Sequence, residues 1–116
     1  KVLLAYQDDD YITYYLDNRL DRPEAFPQIS RGALALELKT IREKGIAVSH
    51  GEYVHDAVGI GAPIFGIDSR VSASVGIIAP YSRIADDFHL EHLEEQVKHS
   101  AAELSYYMGH TFKQHD

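Results

Sequence analysis

Ala57-Val58-Gly59-Ile60-Gly61-Ala62-Pro63-Ile64-Phe65 and Val71-Ser72-Ala73-Ser74-Val75-Gly76-Ile77-Ile78-Ala79 are two apolar runs, rich in glycine and β-branched residues. Between them, Gly66, Asp68 and Ser69 make a short polar turn. Two such runs so joined read as a β-hairpin. Their alternation is weak, which predicts central strands covered on both faces. Pro80 ends the second run, because proline brings no N–H to a ladder.

Working outward, Ile46-Ala47-Val48 predicts a short strand that leads into a polar loop from Ser49 to Glu52. Before it stands a well-marked helix. Ser30 is placed to cap its start, Leu34, Leu38 and Ile41 fall at i, i+4, i+7, and Gly45 supplies the stop. Pro23 and Pro27 make 21–29 a loop. Residues 1–20 read as helix in two pieces: Val2, Leu3 and Leu4 close an apolar segment, and Asp8 to Asp10 cap a new start. Ile12, Tyr15 and Leu16 then share one face.

After the hairpin, Leu90, Leu93, Val97, Ala101, Leu104 and Met108 form one helical stripe, with Glu91, Glu94, Glu95, Lys98 and Glu103 away from it. Asp86 or Asp87 caps its start, Gly109 follows its end, and the tail from His110 is expected to fray. Helices, strand, hairpin and long helix together describe an α/β (α+β) domain, an antiparallel sheet packed against helices. There is no internal repeat, so 1–116 reads as a single domain.

Bulk composition narrows the function. At 116 residues the chain can bury one real core. It has no cysteine, which removes disulfides, thiolate nucleophiles and Cys-ligated zinc. No window approaches a membrane span and no signal peptide is visible, so a cytoplasmic location is expected. The formal charge is −7, and the eleven basic residues are scattered. Direct binding to DNA needs clustered Lys and Arg, so any DNA-reading element must lie outside these residues. The opening Lys1-Val2-Leu3-Leu4-Ala5-Tyr6 starts inside an apolar run, as the remainder of a longer polypeptide would.

Several clusters invite a chemical role and have a plainer one. His89, His92 and His99 lie close together on the last helix, where Glu95 or Glu103 could complete a metal site; a solvated face explains them as well. His50 and His55 flank Glu52 in a loop that could reach a pocket, or simply face water. Asp8 to Asp10 and Asp86-Asp87 stand at helix starts, where capping accounts for them. Ser72, Ser74 and Ser82 lack a Gly-x-Ser-x-Gly elbow. Gly59, Gly61 and Gly66 sit in a strand run and its turn, not a strand-to-helix phosphate cradle; they mark either a bulge or room for a ligand. Tyr11, Tyr14, Tyr15, Tyr106 and Tyr107 are expected in the core or at a dimer contact.

Several blocks, in order, resemble the IclR family of bacterial transcription regulators. Leu34-Ala35-Leu36-Glu37-Leu38-Lys39-Thr40-Ile41-Arg42-Glu43-Lys44-Gly45-Ile46 is similar to the family pattern Leu-x-x-Glu-Leu-x-x-Ile-Arg-x-x-Gly plus a hydrophobic residue. Gly51-Glu52-Tyr53 and Ile60-Gly61-Ala62-Pro63-Ile64-Phe65 resemble its acidic loop and Ala-Ala-Pro-Val-Phe strand. Ser74-Val75-Gly76-Ile77-Ile78-Ala79-Pro80-Tyr81-Ser82-Arg83-Ile84 resembles its Ser-Val-Ser-Gly-Pro-x-x-Arg region. Lys1-Val2-Leu3-Leu4-Ala5 looks like the segment after glycine in Gly-Lys-x-Leu-Leu-Ala.

This resemblance implies a GAF-like effector-binding domain, without its first strands, that follows a winged helix-turn-helix domain absent from these residues. It also implies an effector pocket at Lys1 and its neighbours, Ser49, Ala57, Gly59, Gly76 and Ile78. Compared with better-known members, Ser49 replaces an Asp, Gly59 a Cys, and Gly76 and Ile78 a pair of serines. Fewer hydrogen-bonding groups and more room predict a larger, less polar organic acid, such as an aromatic one. No catalytic residue, metal or cofactor is expected, and DNA is reached only through the upstream domain. Self-association as a dimer or tetramer is expected, with the last helix carrying the effector-induced change. Two other readings remain open: a regulatory ligand domain of an enzyme, and an oligomerisation domain with no ligand.

Overall fold

Strong local signals set the helix that leads into the sheet. In the computed structural model, which describes residues 1–19, 30–51, 55–84 and 87–111, α3 spans Arg31–Lys44. The Ser30 hydroxyl accepts from the Ala33 N–H at 3.2 Å, and Gly45 ends the helix in the left-handed region at φ 74°. Leu34, Leu38 and Ile41 are buried on one face, as their spacing predicts. Two helices precede it, α1 (Val2–Ala5) and α2 (Asp9–Asn18). Asp8 occupies the N-cap of α2, but its side chain makes no capping hydrogen bond. The acidic start therefore acts through charge near the helix dipole. The predicted loop at 21–29 lies outside the described residues.

Three antiparallel strands follow: β1 (Ala47–His50), β2 (Ala57–Phe65) and β3 (Val71–Pro80), in the spatial order β1-β2-β3. The first begins one residue later than expected and takes in Ser49 and His50, which pair with Gly59 and Val58. Gly61 stands between Ala47 and Gly76, and Gly59 between Ser49 and Ile78. A register shift after Ile64 brings Phe65 opposite Val71. The turn closes through Gly66 N–H to Arg70 O at 2.8 Å. A short 3-10 turn, Tyr81–Arg83, leads toward α4, Asp87–Tyr107.

The sheet divides the core in two. Val58, Ile60 and Ala62 point to one face and pack with Ile46, Ile84, Val97 and Ala101, joining the sheet to α4. On the other side, Val2, Leu4 and Ala5 of α1 pack with Leu16 of α2 and Leu34, Leu38 and Ile41 of α3. The mixed α+β architecture read from the sequence is thus observed.

Some expectations fail. Among the described residues the second hairpin strand is not covered on both faces: β3 lies at an edge, and most of it is exposed, Ile78 by 74%. An apolar composition reports strand propensity, but coverage depends on neighbours. The stripe of α4 holds through Ala101 and then breaks. Leu104 and Met108 are exposed while Ser105 is fully buried, because Ser105 meets the last residue of β2. Of the tail expected to fray, residues 112–116 lie outside the described residues, but His110 is held: its ring stacks on Phe65 at 4.9 Å and its Nδ1 lies 3.2 Å from Gly66 O. Tyr11, Tyr14, Tyr106 and Tyr107 are exposed, which removes the core and keeps the dimer contact of the two places expected for them.

Candidate functional site

The face of the sheet turned toward α1 carries almost no side chains at its centre. Strand periodicity puts Gly59 and Gly61 on this face of β2, and cross-strand pairing adds Gly76 from β3. Together they form a bare floor. A Cβ at Gly61 would touch Val2 Cγ2 at 3.4 Å, and one at Gly59 would lie 3.7 Å from Ser49 Oγ. At Gly76 a Cβ would fall 2.5 Å from the Ile60 carbonyl oxygen, too close to be accommodated without a shift.

Above this floor lies a cavity of about 400 Å3. Lys1, Val2 and Leu3 wall one side, Ala47 and Ser49 of β1 another, and Ser74, Gly76, Ile77 and Ile78 of β3 the third. Five of the six residues expected in a pocket, Lys1, Ser49, Gly59, Gly76 and Ile78, therefore line one space. Ala57 does not. It shares the face of Gly59 but pairs with Pro80, at the far end of the strands.

Ala47, Ile60, Gly61, Ser74 and Ile77 also line the cavity and were missed. The signal for two of them was available: Gly61 follows Gly59, and Ser74 precedes Gly76, by the two-residue step that keeps a strand residue on the same face.

The chemistry of the wall is simple. Among the described residues its polar side chains are Lys1, Ser49 and Ser74, and its ionisable one is Lys1. The Lys1 side chain is only 5% exposed, and its Nζ meets Glu37 Oε1 of α3 at 2.9 Å. A buried ammonium needs such a partner, since an isolated charge is costly away from water. The arrangement offers a cation, two hydroxyls and apolar surface to a small ligand. Among the described residues it places no base beside a nucleophile.

The other candidate clusters lie apart from this cavity. His99 pairs with Glu103 at 3.2 Å on the exposed side of α4, and His55 lies 3.5 Å from Asp56 at the surface. Glu52 lies outside the described residues. Among the described residues, no group of three or more His, Asp or Glu is arranged to hold a metal. None of the described helices is long and apolar enough to cross a membrane.

The fold is thus a helix-flanked antiparallel sheet, a mixed α+β domain with a cavity of about 400 Å3 on one face. The model of the bacterial transcriptional regulator IclR C-terminal family matches residues 1–106, and the chain belongs to that family. It is 29% identical over 105 residues to the Pca operon regulatory protein of Acinetobacter baylyi, covering 90% of this chain and 38% of that protein. It superposes on the C-terminal domain of the Escherichia coli transcriptional regulator KdgR with a TM-score of 0.79 at 26% identity, over 94% of this chain and 66% of that one. It shares its fold, at TM-score 0.73 and 18% identity, with the inducer-binding domain of the PobR transcription factor from Acinetobacter, solved as a double mutant with 3-hydroxybenzoic acid. That match covers 90% of this chain and 60% of the PobR domain. The chain thus spans well under half the length of the Pca regulator. The named relatives are transcription regulators.

Proposed function

We propose that this chain is the ligand-sensing part of an IclR-type regulator. A small organic acid enters the glycine-floored cavity with its carboxylate toward Lys1, Ser49 and Ser74. Its apolar body lies over Gly59, Gly61 and Gly76 against Leu3 and Ile78. The observation that carries this reading is the convergence of a buried lysine and three glycines on one cavity of about 400 Å3, within the range of ~300–1,000 Å3 usual for small-molecule sites. The 3-hydroxybenzoic acid bound by the PobR domain supports an aromatic acid as the class to test first.

Binding selects one arrangement of the domain over another, and the shift passes to a winged helix-turn-helix domain carried elsewhere in the full-length regulator. Helix α4, packed across β2 and β3, is positioned to carry the change. Paired operator half-sites call for a symmetric dimer, or a tetramer built from dimers.

A thermal-shift screen with aliphatic keto acids, aromatic acids and sugar acids tests the reading. A ligand at a hundred times its dissociation constant stabilises by about 2.7 kcal/mol. A selective shift without turnover supports a sensor. Turnover would make the chain an enzyme, and no shift with any class would leave an oligomerisation domain.

A further inference from the structure

A second cavity, of about 260 Å3, opens where β1 stops. The ladder between β1 and β2 ends at Ala47 opposite Gly61, so Ala62 to Phe65 continue without a β1 neighbour. The C-terminal turn of α3 and the middle of α4 flank the gap, and its floor is apolar, formed by Ala62, Pro63 and Phe65. Pro63 suits this place, since proline is tolerated where a strand has a free edge.

The rim has an unusual charge. Arg42 and Lys44 come from α3 and Lys98 from α4, against a single carboxylate among the described residues, Glu43. In a chain with 18 acidic and 11 basic residues, that is a concentration of cations. Arg42 is partly engaged, donating to Gln7 O at 3.0 Å with Asp9 at 3.6 Å. Lys44 and Lys98 form no ion pair or hydrogen bond with a described residue. Arg42 and Lys44 also complement the negative end of α3. Lys98, in the middle of its helix, has no such role. Glu94 and Glu95 precede it by one turn, where helix pairing is available, yet neither pairs with it.

We propose that this cavity is a second anion site, binding a small carboxylate with a single apolar ring. The ring rests on Pro63 and Phe65, and the carboxylate faces Lys44 and Lys98. A volume of about 260 Å3 lies just under the range of drug-sized sites, ~300–1,000 Å3, which suits a one-ring ligand. It shares no lining residue with the glycine-floored cavity, so the two sites can be tested separately.

Benzoate titrated into isotope-labelled chain, followed by backbone amide NMR, makes the test. The expected result is saturable shifts at Lys44, Gly45, Phe65 and Ala102 that persist in Gly59→Val, a substitution that fills the first cavity. Lys98→Glu should weaken these shifts by at least about tenfold, the loss of one charge-assisted contact. Ala102→Phe, at an exposed helix position on the rim, should abolish them without disturbing the core. Shifts confined to Gly59, Gly76 and Ile78 would overturn the second site and leave the first standing. Unchanged affinity in Lys98→Glu would also overturn it.

Discussion

The backbone N–H of Phe65 donates to the hydroxyl of Ser105 at 2.9 Å, and that hydroxyl donates to the Ala101 carbonyl at 2.7 Å. One buried serine on α4 thus closes the hydrogen-bonding end of β2, where β1 no longer reaches. Ser105→Ala leaves the Phe65 N–H without that partner, at an expected cost of about 1–3 kcal/mol. Urea unfolding measures it, and an unchanged midpoint would show that the contact carries no stability.

Gly76 and Gly59 are expected to respond differently to alanine. At Gly76 the new methyl would meet the Ile60 carbonyl oxygen at 2.5 Å, so Gly76→Ala should cost about 1–3 kcal/mol through overpacking. At Gly59 the nearest atom is Ser49 Oγ at 3.7 Å, so the fold should tolerate the methyl while ligand binding weakens. Thermal melting with and without ligand separates the two effects.

Lys1 and Glu37 join the start of α1 to α3 beside the cavity. Glu37→Gln keeps the shape and removes the charge that holds the buried ammonium. A loss of about 1.5–3 kcal/mol is expected, the range for hydrogen bonds to charged groups. Denaturant titration of this variant beside a surface control such as Glu91→Gln checks it; equal effects would argue against a special role.

Gly45 sits at φ 74°, where a side chain is strained. Gly45→Ala should destabilise by about 1 kcal/mol or slightly more, while Gly32→Ala, in open space on the same helix, should not. Parallel melting curves of the two variants decide the point.

Burial raises the ionisation of Tyr6 above the usual 10.0, against the pull of Arg42 in the other direction. The folded state therefore holds this proton more tightly than the unfolded chain. Its contribution to stability is complete below pH 10.0 and falls as pH rises through the folded value. Absorbance titration should show a late-ionising tyrosine that Tyr6→Phe removes. Loss of no late component would contradict the assignment.

Local chemistry explains which elements were legible in the sequence. Ser30 and Gly45 mark the ends of α3 because a cap and a left-handed stop act within one turn. The hairpin was legible because Gly66, Asp68 and Ser69 separate two β-prone runs. What failed depends on distant neighbours. Nothing local to Ile78 tells whether another layer covers it, and nothing local to Leu104 tells where the sheet ends. Ser105 is polar in composition but buried by its contact with Phe65, forty residues away.

The lining of the cavity was readable to a similar depth. The family resemblance pointed to Lys1, Ser49, Gly59, Gly76 and Ile78, and these line one cavity. Ala57 was included by strand but excluded by its distance along it. The Glu37 partner of Lys1 could not be read, because the pair spans 36 positions and two helices.

The bare floor has a consequence for how such a pocket changes over generations. Gly59 can gain atoms without moving the backbone, so one heritable change there trims the space by a methyl and alters which guests fit. Gly76 has no such freedom, because its neighbour's carbonyl already occupies the place a methyl would take. The two positions form a fixed hinge-plate and an adjustable shim, and a lineage that reshapes this cavity has its easiest first step at Gly59.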